Sequence, residues 1–541
     1  MAPNQSLNLI PVPSFDVEQH LQKQSPQSFA PQRVLSPTVL FSGLATGASR
    51  GKPAPLMAGN EAAVLDSAHA ASPLLRVISE PPLIVTGTGL RGVAALGVMS
   101  SHMVLCFARS LVAPCHGGKN GPMYLFQRPF FRLIVQGQSF VALFFILMGF
   151  VNSLKPLKQA QAHQFEEALM ALTKSSLNRT ARLVLPATTV TTIAWAACQL
   201  GLFDIARKSD AYWLQVNSKP KSDGWSQALM DLFRNGILQT WIWGDNSYDQ
   251  PQWALLYLLL GSMNIFLVLL ITVTMQAKFR IIVLSLLYMY CWAAGDFLVS
   301  TNVYFGIILA QLHTLNIAAP NKSIIWRYLP FLSSLFGLFL MSFPSEYAQD
   351  AAWSRFLYNL GQNITPGQSE LSRFWPGLGA QILCASILVS QDLRQLLSGQ
   401  VLTYLGGISF SLYLLHGTLM RTVLAWMTFG PAILSGRHLV QPNGYYAQPS
   451  NGWFLLILPM FLMFLMAAVH IWSVKVEPIF ARATKTLEDV VTGGREGRKS
   501  PIVGPADAIA YKKLDDEKEH RRGLSNGTLE QQPLNGNGIA R

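Results

Sequence analysis

Two side chains able to bind charge or move a proton stand in one apolar stretch, residues 87–111. The stretch, GTGLRGVAALGVMSSHMVLCFARSL, is apolar enough to cross a membrane, yet it contains Arg91 and His102. At about 100° per residue, the eleven steps between them end roughly 20° past three turns, so both lie on one helix face. Their axial separation is about 16 Å. Because ionisable groups are costly inside a membrane, two of them aligned on one face favour a functional site over an interfacial arginine and a structural histidine.

Two further pairs of polar residues are spaced for a single helix face. Arg179 and Arg182, in NRTARLVLP, stand at i and i+3. Guanidinium groups match phosphate oxygens, but an arginine pair at the end of a span is also ordinary positive-inside anchoring. Tyr413 and His416 share a face in another apolar segment, where polar contacts between helices explain them as well as function does. Both interpretations stay open on these residues alone.

The composition places the chain among polytopic membrane proteins. Of 541 residues, 50% are hydrophobic and only 13% are charged, whereas soluble domains are about one quarter charged. The formal net charge of +13 comes from basic residues between apolar runs and in the tails, so we expect contact with membrane lipid and none with nucleic acid. We predict an all-α fold with about ten transmembrane helices, at residues 88–108, 133–152, 183–203, 253–275, 279–296, 303–318, 326–343, 375–390, 401–429 and 453–476.

The flanking segments have the compositions of tails. Residues 1–86 are rich in Pro, Ser, Gln and Ala without periodic apolar positions, and residues 477–541 are charged and then rich in Gly, Asn and Gln. We therefore expect disordered tails around a membrane domain at 87–476, with a long loop at 204–252. The five cysteines have no metal-type spacing, so the sequence predicts neither a disulfide framework nor a metal site.

An even number of spans puts both termini on the same side of the membrane. Basic residues are frequent in the loops assigned to that side: 153–182, 276–280, 319–327 and 391–400. Loop 109–132, assigned to the other side, is also basic. By the positive-inside rule we place both termini in the cytoplasm and the protein in an endomembrane or the plasma membrane. Arg91 then lies near the cytoplasmic end of the first span, and His102 lies deeper.

Four sequence blocks resemble the acyltransferase 3 family of polytopic membrane O-acyltransferases. LRGVAALGVMSSH resembles the family's opening block, with Arg91 and His102 in the family's spacing. FFILMGF is similar to its FFxLSGF block, with Met148 where serine is usual, and RTAR matches its Arg-x-x-Arg block. ISFSLYLLH resembles its S[YF]SLYLLH block. The insertions and tails are closer to filamentous-fungal members than to bacterial ones.

The resemblance implies an enzyme that transfers an acyl group, which we expect to be acetyl, from acyl-CoA to a hydroxyl of a secondary metabolite or a sugar. No permanently bound cofactor is expected. His102 is the candidate base, since a neutral imidazole can take the proton of an attacking alcohol, and an acyl-histidine intermediate stays open. The candidate ligands of CoA are basic: Arg91, Arg179 and Arg182. Tyr413 and His416 would line the acceptor side or support the core.

Two positions that are acidic in fungal relatives hold Leu258 and Gln311 here. The group that orients His102 would then be a serine, a tyrosine or a carbonyl. The substitutions also motivate an alternative, a non-catalytic relative that binds or transports a lipid-like or acylated molecule. A proton-coupled transporter ranks last, because it needs intramembrane carboxylates and Asp296 is nearly the only one predicted.

The orientation predicts where a glycan can be attached. The sequence has five Asn-x-Ser/Thr acceptors: Asn4, Asn178, Asn321, Asn363 and Asn526. Only Asn363 falls in a loop assigned to the lumen or exterior, so we expect any N-glycan at that residue alone. Glycosidase-induced mobility shifts of single Asn→Gln variants test this expectation. A glycan at Asn178 or Asn321 would invert the topology and remove the basic residues of the donor site from cytosolic CoA.

Overall fold

The computed structural model describes residues 83–316, 324–367, 370–434, 436, 440–441, 444–449 and 451–491. Within these ranges every extended regular element is a helix, and strand-like pairing is limited to the isolated bridges Ser209–Tyr446 and Val440–Tyr446. The predicted all-α class is therefore confirmed for the described part of the chain. Most of the two predicted tails lies outside it.

The helices are numbered here in chain order. They are α1 (Leu83–Phe107), α2 (Gly137–Gln161), α3 (Phe165–Gln199), α4 (Asp204–Arg207), α5 (Tyr212–Val216), α6 (Trp225–Asp231), α7 (Gln239–Trp243), α8 (Trp253–Thr272), α9 (Ala277–Ala293), α10 (Ser300–Thr314), α11 (Ile324–Met341), α12 (Ala352–Ile364), α13 (Leu371–Val389), α14 (Gln391–Leu397), α15 (Gln400–Gly407), α16 (Ser409–Leu419), α17 (Ala425–Leu434), α18 (Asn451–Ile471) and α19 (Glu477–Val491). π-helical turns join α6 to α7, α16 to α17 and α18 to α19.

Fewer helices qualify as membrane spans than the sequence predicted. Within the described part of the chain, five are long and apolar enough to cross a membrane: Leu83–Phe107, Gly137–Gln161, Phe165–Gln199, Gln250–Thr272 and Gly452–Val491. Two bent pairs, α13 with α14 and α15 with α16–α17, bring the number to seven if each pair is one span. Ten spans are therefore not confirmed, although each predicted segment contains a helix. α10 shows the reason: its 15 residues extend about 22 Å, whereas the hydrocarbon core is about 30 Å thick.

Glycines allow α1 to pack closely against its neighbouring helices. A Cβ on Gly406 of α15 would lie 1.8 Å from the carbonyl oxygen of Thr88, and a Cβ on Gly92 would lie 2.6 Å from the α15 backbone. Toward α2, a Cβ on Gly97 would lie 2.2 Å from the ring of Phe140. The small residues of α1 thus permit close approach at Gly92 and Gly97. α1 is held between α2 and α15 with little freedom to rotate.

Helix α3 is longer than the predicted third span. The sequence predicts a polar stretch up to residue 182 and a span from residue 183. In the structure a single helix of 35 residues runs across that boundary. The polar part is rich in good helix formers, and Glu166 and Glu167 in the first turn favour helix initiation there. At about 52 Å, α3 extends beyond any bilayer core. Arg179 and Arg182 consequently lie within a helix rather than in a loop at its mouth.

The predicted ninth span, 401–429, is broken. α15 and the helix that follows it are bent by 65° at Ile408, directly after the Gly406-Gly407 pair. Two adjacent glycines tolerate such a bend, and the Ser409 hydroxyl donates to the carbonyl of Gly406 at 2.8 Å across it. The bend turns α16, which contains Tyr413 and His416, toward the second half of α1.

The boundaries of the membrane domain also differ from prediction. α1 begins at Leu83 rather than at residue 87, and residues 477–491 form α19 instead of the start of a disordered tail. α19 packs on α3, where Glu488 forms an ion pair with Lys174 at 2.5 Å and accepts a hydrogen bond from Asn178 at 3.0 Å. These polar contacts to α3 give the segment a fixed partner that its composition did not indicate.

The two ends of α1 face different parts of the chain. Near its beginning, the hydroxyls of Thr86 and Ser398 lie 3.1 Å apart. Beyond its end, the backbone N–H of Asn120 donates to the carbonyl of Asp350 at 2.8 Å, which places the segment before α12 at that side. Asn363 is exposed on the last turn of α12 rather than in the predicted polar turn, which begins only after Ile364. Its glycosylation stays a prediction.

Candidate active site

Two histidines from distant parts of the chain form a hydrogen-bonded pair. Nδ1 of His102 on α1 lies 2.8 Å from Nε2 of His416 on α16. The rings are nearly parallel, at 7°, with centroids 5.1 Å apart. His416 is only 1% exposed, so this contact takes place inside the protein. The sequence predicts a serine, a tyrosine or a carbonyl as the group that orients His102, whereas the structure has His416 in that position.

The hydrogen-bond partners determine which nitrogens of the pair hold hydrogen. Nδ1 of His416 lies 2.8 Å from the carbonyl oxygen of Tyr413 and 3.1 Å from that of Leu412. A carbonyl oxygen only accepts, so this nitrogen bears the hydrogen and Nε2 of the neutral ring is an acceptor. His102 must then donate from Nδ1. Nε2 of neutral His102 is left with a lone pair, which is the atom that a general base needs.

A tryptophan packs against the ring of His102. The rings of Trp213 and His102 are stacked, with centroids 4.9 Å apart and an angle of 23°. Trp213 is on α5, a short helix of five residues in the segment predicted as a long loop. Nothing in the spacing or composition of that loop distinguished this tryptophan from an interfacial one. The Trp213 contact and the hydrogen bond to His416 together leave the imidazole of His102 little room to turn.

A cavity of about 610 Å³ extends along the same face of α1. Arg91, Arg179 and Arg182 line it together with Val98 and Tyr413. Val98 stands one helical turn before His102 and Tyr413 one turn before His416, so this wall of the cavity reaches the base of the histidine pair. Neither histidine lines the cavity itself. The cavity thus runs from three basic residues to the helical turns that precede the two histidines.

The three arginines of the cavity differ in how they are held. Nη2 of Arg91 donates to the carbonyl of Gly406 at 3.2 Å, and Nε of Arg179 donates to the hydroxyl of Ser262 at 3.2 Å. Ser262 in turn donates to the carbonyl of Leu258 at 2.6 Å. Arg182 is exposed at the rim. Among the described residues none of the three pairs with a carboxylate, so their charges stay available to an anion.

The two replaced acidic positions lie in different environments. Leu258 lines the cavity, where its side chain is apolar and uncharged. Gln311 does not contact His102: its Oε1 accepts from Nη1 of Arg280 at 2.7 Å, and its Nε2 donates to Thr314 at 3.1 Å. The remaining donors of Arg280 reach backbone carbonyls at the end of α8. The residue at position 311 therefore affects the hydrogen bonding of the buried Arg280 and does not orient His102.

A buried ion pair holds α16 in place. Nη2 of Arg421, in the π-helical turn after α16, lies 2.5 Å from Oδ1 of Asp249, and both side chains are fully buried. Gln252 donates to the other carboxylate oxygen at 2.9 Å. The hydroxyl of Tyr413 donates to the carbonyl of Pro251 in the same segment. Because α16 is tied to residues 249–252 at two points, the position of His416 depends on this segment.

The sequence does not distinguish Asp249 from an exposed loop residue, although its side chain is 0% exposed. Asp296 accepts from the backbone N–H groups of Val299 and Ser300 at the start of α10. The neighbourhood of Asp249, NSYDQPQ, reads as a polar turn, and only its partner Arg421 shows that it is buried.

Comparison with known proteins identifies the family of the chain. The acyltransferase-domain model of the acyltransferase 3 family matches residues 88–473, so the chain belongs to that family and is an enzyme that transfers acyl groups. O-acetyltransferase PaAT-1 of Phomopsis amygdali is 26% identical over 380 residues, 62% of this chain and 72% of that protein. Acyltransferase clz18 of Cochliobolus lunatus is 22% identical over 413 residues, 65% and 85% of the two chains. No solved structure matches. Together with its long apolar helices, the family identifies an integral membrane protein.

The environment of Gln311 makes a testable distinction. A glutamate at this position keeps the acceptor for Arg280 and adds a compensating charge, so Gln311→Glu should accumulate, melt at the wild-type temperature or above, and retain acyl transfer. Gln311→Leu should lower stability by about 1–3 kcal/mol, because it leaves a buried guanidinium donor without a partner. Melting in detergent and turnover of the same preparations measure both effects. A change in the pH–rate profile of Gln311→Glu without a change in melting would place residue 311 in the proton path instead.

Proposed function

We propose that this protein is a membrane O-acetyltransferase that moves an acetyl group from acetyl-CoA to a hydroxyl of a small molecule, with His102 as the general base. One observation carries the proposal. The hydrogen-bond chain from the Tyr413 carbonyl through His416 to His102 leaves a lone pair on Nε2 of His102, next to the end of a cavity that begins at three arginines. An unprotonated imidazole and an anion-binding mouth are the two parts that acyl transfer from CoA requires.

The reaction needs one proton to leave the acceptor and one to reach the leaving group. Nε2 of His102 takes the hydroxyl proton while the oxygen attacks the thioester carbonyl. When the tetrahedral intermediate collapses, the carbon–sulfur bond breaks and the thiolate receives that proton from His102. The products are the O-acetyl ester and free CoA, and the histidine returns to its starting form. No acyl-enzyme intermediate is needed for this balance.

His416 is a positioning residue in this scheme. As His102 gains a proton, its Nδ1–H becomes a charge-assisted donor to Nε2 of His416, and such bonds are roughly twice as strong as neutral ones. The carbonyls of Tyr413 and Leu412 stabilise the hydrogen on the far nitrogen of His416. His416 thus selects the tautomer of His102 and favours its protonated state, a role that a carboxylate has in other catalytic triads.

The donor would lie along α1. Its phosphates would bind Arg91, Arg179 and Arg182, and its pantetheine arm would run through the cavity toward His102. The axial distance of about 16 Å between Arg91 and His102 suits a linear arm. Since CoA is cytosolic, the arginine end would face the cytoplasm, as the basic loops predict. The host membrane would be an endomembrane or the plasma membrane.

The acceptor would approach the opposite end of the pair. The buried Trp213 ring beside His102 makes this end of the site apolar, which would suit an acceptor with an apolar face. The relative from Phomopsis amygdali is named an O-acetyltransferase, which supports acetyl as the group and oxygen as its destination. A secondary metabolite can offer both an apolar face and a hydroxyl, whereas a sugar offers the hydroxyl.

The role of the pair predicts a graded series of variants. His102→Ala and His102→Gln should lose turnover by roughly 10²–10⁴-fold, since neither side chain takes a proton at neutral pH. His416→Leu should lower kcat with little change in KM for acetyl-CoA, and His416→Gln should recover part of that loss because its amide oxygen accepts from His102. The double variant should be no worse than His102→Ala alone.

His470→Ala is the matched control, because His470 bonds to the Tyr404 hydroxyl elsewhere and is exposed. Its turnover should equal that of the wild type. Initial rates with radiolabelled acetyl-CoA, at equal protein levels in membranes, make the comparison. Substantial turnover in both His102 variants would remove this residue from the mechanism, and additive losses in the double variant would separate His416 from it.

The arginine mouth predicts an effect on the donor alone. Arg91→Ala and Arg179→Ala should each raise KM for acetyl-CoA by roughly tenfold or more, in keeping with the loss of a charge-assisted contact. Lysine at either position should recover only part, because an ammonium lacks the planar two-donor geometry. Arg128→Ala, an exposed arginine beyond the other end of α1, is the matched control. If both alanine variants bind CoA normally in calorimetry, these arginines do not bind the donor and reflect only the orientation of the protein in the membrane.

A further inference from the structure

A second cavity, of about 470 Å³, lies between α3 and α19. Arg182 lines it from α3, and Arg482, Thr484 and Lys485 line it from α19. Both cavities also include Asn178, so they are adjacent at Asn178 and Arg182. The second cavity is therefore an outward continuation of the arginine mouth, on the side away from the histidine pair.

The charges around this second cavity are unevenly paired. Glu488 is 7% exposed and forms an ion pair with Lys174 at 2.5 Å, so these two charges compensate each other. Arg482 and Lys485 are exposed and, among the described residues, neither pairs with an acidic side chain. Asp489 is the remaining acid in the wall, against Arg182, Arg482 and Lys485. The balance favours an anion with more than one negative oxygen.

A buried hydroxyl in the same wall has no partner. Thr484 is 2% exposed, and its Oγ1 makes no hydrogen bond among the described residues. Buried hydroxyls are nearly always hydrogen-bonded, so an unsatisfied one beside a cavity points to a ligand group that completes it. Thr484 stands between Arg482 and Lys485 in the sequence, and all three line the cavity.

We propose that this cavity binds the phosphorylated nucleotide end of acyl-CoA, with Arg482 and Lys485 of α19 as phosphate ligands beside Arg182. The assignment rests on the proposed function. If the thioester lies at the histidine pair and the pantetheine arm fills the first cavity, the nucleotide has to lie outside the arginine mouth. The second cavity is adjacent to that mouth, is of ligand size and is basic. α19 is then part of the donor site rather than of a tail.

Binding of truncated donors tests the assignment. The protein in phosphatidylcholine nanodiscs is titrated with CoA, with 3′-dephospho-CoA and with pantetheine. Arg482→Gln and Lys485→Gln should each weaken CoA binding by about tenfold, as expected for one lost charge-assisted contact. They should leave pantetheine binding unchanged and reduce the preference for CoA over 3′-dephospho-CoA. Lys475→Gln, which removes the same charge just before α19 but does not line the cavity, should bind all three probes as the wild type does.

A labelling experiment locates the nucleotide without relying on affinity. The five native cysteines are buried, so Lys485→Cys offers one exposed thiol among the described residues. CoA and 3′,5′-ADP should protect this thiol from a maleimide, and pantetheine should not. Unchanged CoA affinity in both glutamine variants, or no protection by CoA, would overturn the assignment.

Two other results are distinguishable from these. Protection by added phosphatidic acid but not by CoA would overturn the assignment in favour of a lipid headgroup, which offers the same phosphate chemistry. A wild-type protein that binds neither CoA nor pantetheine would refute the proposed function itself, and the assignment with it. A wild type that binds CoA normally, while all α19 variants do so too, would refute the assignment alone.

Discussion

The hydrogen bond between His102 and His416 constrains the arrangement of the whole bundle. An imidazole pair at 2.8 Å requires α1 and α16 to be fixed both along and around their axes. The glycine contacts of α1 with α15 fix one partner, and the Arg421–Asp249 pair fixes the other. Truncating one member of such a buried pair typically costs 3–5 kcal/mol, because the other charge is left uncompensated. These contacts of α1 and α16 therefore position the two rings.

The relative positions of the arginines and His102 within their own helices could be predicted from sequence. Arg91 and His102 lie in one helix whose helical period alone places them on one face, and the structure has that helix. Arg179 and Arg182 likewise lie in one helix, three positions apart. This local spacing explains why both line the same cavity. Predictions of this kind succeed because they depend only on the geometry of a single element.

The contacts of His102 could not be predicted in this way, since they join elements far apart in the chain. His416 is 314 residues away and reaches His102 only because the helix bends at Ile408. The Gly-Gly pair permits that bend but does not specify its direction. Trp213 arrives from a loop with no periodicity to analyse, and Asp249 reads as part of a polar turn until its partner Arg421 is known. A histidine in an apolar segment shows that a partner is needed, not which one.

The contacts of Gln311 and Leu258 show what the lack of a carboxylate changes at each position. Gln311 satisfies a buried arginine as an amide can, through its carbonyl oxygen, so loss of the acid there removes a charge without removing the hydrogen bond. At position 258, leucine leaves the cavity wall apolar beside Arg179 and favours a net positive mouth. A glutamate there would lie near the same guanidinium and compete with a phosphate for it. Because His416 orients His102 and is itself held by two backbone carbonyls, the absence of both acids is compatible with acyl transfer.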